Sequence, residues 1–133
     1  MKADNIDVKK WIKFAQMDYD TALNMVQLHR PIPIEYVCYH CQQSAEKILK
    51  AYAMAKKGTL IKTHDLMVLL NQCSEYHREF ELYARSCVAL TTYASISRYP
   101  CNIELTELQM QKALHDAYDV LHYAKQRLSE MGY

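Results

Sequence analysis

The stretch Ile34–Lys57, IEYVCYHCQQSAEKILKAYAMAKK, decides the fold. Val37, Cys41, Ala45, Ile48, Tyr52 and Ala55 recur every three or four residues, the period of one helix face turned towards a core. Gly58 follows at once, where a left-handed residue closes a helix C-terminus. On the other side Arg30-Pro31-Ile32-Pro33 cannot be helical, because proline lacks an N–H and restrains the residue before it. The segment therefore reads as one long amphipathic helix with marked ends.

The rest of the chain repeats this pattern on either side. Upstream, Val8, Ile12, Ala15, Tyr19, Ala22 and Val26 form a second core stripe, reinforced by Trp11 and Leu23, on a helix that ends near His29. Downstream, Thr63 is a suitable N-cap for a short helix carrying Leu66, Leu69, Leu70 and Cys73, with Asp65 in its first turn. A fourth helical segment is expected from about Arg78, with Phe80, Tyr83, Cys87, Leu90, Thr91 and Ala94 on one side, stopping before Pro100. Thr106 and Gln109 read as a capping box for the last helix, whose stripe is Met110, Leu114, Ala117, Leu121, Ala124 and Leu128. Short connections between long amphipathic helices favour antiparallel neighbours. The expected architecture is all-α, a four- to five-helix up-and-down antiparallel bundle, with residues 1–133 as a single domain.

Composition narrows the chemistry. The 133 residues include two Gly and three Pro, where average usage would give about nine Gly. Neither a P-loop nor a dinucleotide fingerprint can be built from Gly58 and Gly132. Sixteen Lys and Arg against fifteen Asp and Glu leave a formal charge of +1, unlike a protein that coats duplex nucleic acid through bulk charge. The N-terminus is charged and carries no signal-peptide core, and the apolar run Leu66–Leu70 falls far short of the roughly 20 residues that span a bilayer. Five Cys without an export signal fit a reducing cytoplasm. A cytoplasmic protein with no membrane partner is expected.

Several constellations carry possible chemistry. Cys38 and Cys41 have metal-ligand spacing, yet zinc needs about four ligands and no second close pair exists, so both read as core thiols. His115, Asp119 and His122 share a helix face opposite its core stripe and read as solvated. No metal and no cofactor are expected. On the second helix Tyr39, Gln43, Glu46 and Lys50 form a polar stripe flanked by His40 and Lys47. It reads either as a solvent face with a Glu46–Lys50 pair or as a groove for an anionic ligand. Thr63-His64-Asp65 opens a helix where N–H groups and an imidazole can meet an anion, or simply caps it. Arg98-Tyr99-Pro100 places a guanidinium and a phenol at a chain corner, suited to phosphate or to the helix dipole.

The ordered set of motifs resembles the HEPN domain family (higher eukaryotes and prokaryotes nucleotide-binding). Tyr36 to Tyr52 is similar to the family's QxAEKxLKA helix, Lys62-Thr-His-Asp-Leu66 to its THDL helix start, and Ser97-Arg-Tyr-Pro100 to its RYP corner. Trp11, Ala15 and Asp18 fit the opening helix and Ala113–Leu128 the closing one. The resemblance implies a helical bundle, usually a homodimer, often made beside a minimal nucleotidyltransferase as a two-component or toxin–antitoxin pair. It raises Gln43, Glu46, Lys50, His64, Arg98 and Tyr99 to candidate residues for a nucleotide or RNA ligand. The family's ribonucleases carry Arg followed after four to six residues by His. From Arg98 that window holds Ile103, Glu104 and Leu105. The resemblance therefore implies a non-catalytic member with no catalytic residue. The alternative is a metal-independent endoribonuclease toxin in which His64 replaces the absent histidine.

Overall fold

A computed structural model describes residues 5–95 and 104–133 of the chain. Among these residues five α-helices run in the order α1 (Asn5–Leu28), α2 (Ile34–Lys57), α3 (Leu66–Ser74), α4 (Ala84–Thr91) and α5 (Glu107–Glu130). A 3-10 helix, Arg78–Tyr83, precedes α4. No strand occurs among the described residues. The helices pack antiparallel, as the short connections between them favour.

The boundaries of α2 show local chemistry at work. Its C-cap Gly58 sits at φ 78°, a left-handed conformation that costs glycine nothing, and its N–H reaches back to Met54 O. Pro33 stands at the other end and lets the helix begin at Ile34. At α5, Thr106 and Gln109 form the reciprocal capping box.

Two expectations are corrected. The N-cap of α3 is Asp65, whose carboxylate accepts from Met67 N at 2.9 Å, while Thr63 Oγ1 accepts from Asp65 N one step earlier. A carboxylate at the helix start meets both the bare N–H groups and the positive end of the dipole, which the hydroxyl of Thr63 cannot match. The segment from Arg78 opens as a 3-10 helix instead of an α-helix. At three residues per turn Phe80 and Tyr83 align on one side, and both lie against Tyr123 of α5, with ring centroids 4.9 and 4.8 Å away. Pro100, the expected stop, lies outside the described residues.

The central helix is α2, which packs on α1, α5, α3 and α4. Fourteen of its 24 residues are buried, more than one stripe can supply, so its polar flank is covered as well. Val8, Ala15 and Ala22 of α1, the α2 stripe, Leu66, Leu69 and Leu70 of α3, and Ala117, Ala124 and Leu128 of α5 build the core. Small residues where α1, α2 and α5 face one another allow the long helices to approach closely. Tyr52 and Phe80, both buried, pack ring to ring with centroids 4.6 Å apart.

Candidate functional site

The covered flank of α2 contains a buried polar cluster. Gln42, Glu46 and Lys50 lie one helical turn apart each, at relative exposures of 0%, 4% and 7%. Gln42 Nε2 donates to Glu46 Oε1 at 3.0 Å, and Lys50 Nζ donates to Glu46 Oε2 at 3.1 Å. His64 reaches in from the segment joining α2 to α3, its Nδ1 3.0 Å from Glu46 Oε1. Gln43 Nε2 donates to Gln42 Oε1 at 2.7 Å. The Lys50 ammonium also lies 5.9 Å from the centroid of the Trp11 ring on α1, a distance at which the ring face attracts a cation.

Burial by itself would raise the Glu46 carboxyl. Hydrogen bonds from Gln42, His64 and Lys50, together with the Lys50 charge, overcome it and hold the group below the ordinary glutamate value. Ionised Glu46 can only accept, so His64 Nδ1 must carry the proton it donates. A carboxylate that fixes an imidazole in one tautomer makes an oriented donor of the charged ring and an oriented base of the neutral one.

Of the residues expected from sequence, Gln43, Glu46, Lys50 and His64 thus come together. Glu46 and Lys50 are not on a solvent face, which corrects that reading of the stripe: α1 and the segment through His64 close over them. Tyr39 stands apart, edge-on to His40. Arg98 and Tyr99 lie outside the described residues. Sequence reasoning passed over Gln42, although its place one turn before Glu46 signals a partner.

A second cluster staples α1 to α2. Asp18 Oδ1 lies 2.9 Å from His40 Nδ1, and Asp18 Oδ2 accepts from Lys47 Nζ at 2.6 Å. Burial opposes ionisation here too, and the two hydrogen bonds with the Lys47 charge hold Asp18 below the ordinary aspartate value. A third polar group joins the 3-10 helix region to α5. Arg127 Nη1 lies 2.9 Å from His77 Nε2, and a guanidinium only donates, so His77 Nε2 accepts. His77 Nδ1 then donates to Tyr123 Oη at 3.1 Å. Burial pushes the Tyr123 hydroxyl up to about 12, out of reach of proton transfer near neutrality.

The remaining candidates behave as structural groups. Cys38 and Cys41 are fully buried, and burial raises both thiols, Cys38 to about 11. Such thiols are neither nucleophiles nor ready ligands at neutral pH. His115 is exposed, with its Nδ1 3.8 Å from Oδ2 of half-buried Asp119, and His122 stacks on Tyr118. Among the described residues no group of three or more His, Cys, Asp or Glu could hold a metal ion. No helix among them is long and apolar enough to cross a membrane.

Against known families, residues 8–128 match the family described as HEPN domain. Among solved structures, TT1696 from Thermus thermophilus superposes with a TM-score of 0.76 at 21% identity, covering 90% of this chain and 96% of that one. At that identity the likeness is one of fold. No curated protein matches the chain.

Proposed function

The chain belongs to the HEPN domain family, and on that premise we propose that it is a non-catalytic helical module that binds a nucleotide or another phosphate-bearing ligand. In this reading it works as a homodimer and docks a minimal nucleotidyltransferase, in a two-component or toxin–antitoxin pair. The observation that supports it is the meeting of Lys50 and His64, from separate elements, on the two oxygens of Glu46. Two potential cations brought together, one from α2 and one from the segment after it, suit an anionic ligand, and the glycine-poor backbone leaves that task to side chains. Arg98 and Tyr99, the pair that resembles the family's RYP motif, are the further residues this reading assigns to the ligand.

Calorimetric titration with ATP, GTP and short RNA tests the ligand half. Binding should vanish in a Lys50→Ala/Arg98→Ala double variant, and binding that survives removes these residues from the site. Co-expression with a nucleotidyltransferase encoded beside this chain tests the partner half, which predicts co-elution of the two.

A second reading has its own observation. The Glu46–His64 pair has the form of a carboxylate-backed imidazole, the arrangement that activates a hydroxyl in acid–base catalysis. A metal-independent endoribonuclease would use it beside Arg98. RNA cleavage by the purified protein, lost in both His64→Ala and Arg98→Ala, would establish that reading; intact RNA under forcing conditions retires it.

A further inference from the structure

The proposed site already holds an anion, and that anion belongs to the protein. Lys50 and Glu46 expose only 8% and 5% of their side chains, while His64 above them exposes 54%. Each oxygen of Glu46 engages one of the two basic groups, as two oxygens of a phosphate would. An incoming phosphate therefore meets the His64 ring first and finds the Lys50 ammonium occupied.

Resting on the ligand-binding reading above, we propose that Glu46 is an internal competitor for the ligand's phosphate, so that binding takes Lys50 from Glu46, turns the overlying His64 off the pair and releases the 58–65 segment from α2. The chain around the cluster is built for such an exchange. Glu46 keeps the Gln42 amide, 3.0 Å away, as a partner once Lys50 has left. Lys50 carries a flexible stem and is steadied by the Trp11 ring, an attraction that does not depend on Glu46. The segment that must move is anchored beyond His64 at the start of α3, where Leu66 N donates to Thr91 Oγ1 at 3.3 Å. It can swing about that point without unfolding α3. In the resting state the latch keeps a buried charge neutralised, and the ligand must supply an equivalent charge to open it.

The direction of one substitution decides the matter. Glu46→Gln keeps the shape of the side chain and removes the competing charge, so calorimetric titration with sodium tripolyphosphate and with ATP should show binding tightened by about tenfold. Lys50→Ala should lose it. Affinity that is unchanged or weaker in Glu46→Gln, with loss in Lys50→Ala, overturns the latch and leaves the ligand site standing. Flat titrations for wild type and both variants overturn the site and the latch together. A second measurement needs no variant. Saturating tripolyphosphate should speed tryptic cleavage of the wild-type chain after Lys57 and Lys62 several-fold, and unchanged or slower cleavage overturns the latch.

Discussion

Asp18 and Glu46 have the same partners, one lysine and one histidine Nδ1 each, in different settings. Asp18 bridges two long helices, and its partners His40 and Lys47 keep about a quarter of their side chains in water. Glu46 and Lys50 sit on one helix under a cover, and the histidine comes from a connecting segment. The first cluster is a part-buried staple whose two basic groups keep some contact with water. In the second, an ion pair has been taken out of water and depends on its partners for solvation. The same kinds of group, a carboxylate with a lysine and a histidine, therefore give a part-buried tie between helices in one place and a sensitive buried switch in the other.

The contrast is sharpest in truncation. Glu46→Ala should cost about 3–5 kcal/mol in urea unfolding, because Lys50 is left charged and buried. Replacing the pair together, as Glu46→Leu/Lys50→Met, should recover most of that loss, since a well-packed apolar pair carries no desolvation penalty. If the single and double variants lose equal stability, the ion pair is not the reason.

Asp18→Ala should be milder, about 1–2 kcal/mol by the same measurement, because His40 and Lys47 can turn to solvent. A loss equal to that of Glu46→Ala would erase the distinction between the clusters.

Acid titration gives a smaller and more selective effect. Both carboxyls are held below their ordinary values, 4.5 for Glu46 and 3.8 for Asp18, so both ionised forms stabilise the fold above those values. That contribution is lost as pH falls through the lowered folded-state values, where the native carboxyls finally take up protons. Thermal melts of wild type should therefore weaken as pH drops below about 4.5, and Glu46→Gln should flatten the upper part of that decline. Asp18→Asn should flatten only the more acidic part.

The smallest global effect is expected from His64→Ala, within about 1 kcal/mol, since its ring is half in water. Its local effect should be clear. Amide hydrogen exchange in residues 58–65 should accelerate while α2 stays protected. Uniform acceleration across α2 would mean that His64 supports the helix as a whole.

Much of the fold was legible because its signals are short-range. Pro33 and Gly58 delimit α2, the Thr106–Gln109 box starts α5, and the three core stripes were correctly placed. Errors arose where competing local options were close in energy, as with Thr63 and Asp65 at the start of α3, or where packing chose the winding, as at Phe80 and Tyr83. The cluster was legible as a set of residues and illegible as an environment. The four-residue spacing brings Gln42, Glu46 and Lys50 into line on any helix, but it does not say whether that line faces water.

By itself, then, the amino-acid sequence determined the helices, their ends, their inward faces and the family to which the chain belongs. Those properties depend on backbone dihedrals, capping and period, each written within about one turn of chain. Only the tertiary structure decided that Glu46 and Lys50 are buried, that His64 closes on them, and that Asp18 meets His40 and Lys47. Burial is a property of what covers a residue. Here the cover comes from Trp11 and His64, whose distances along the chain from Glu46 carry no periodic signal.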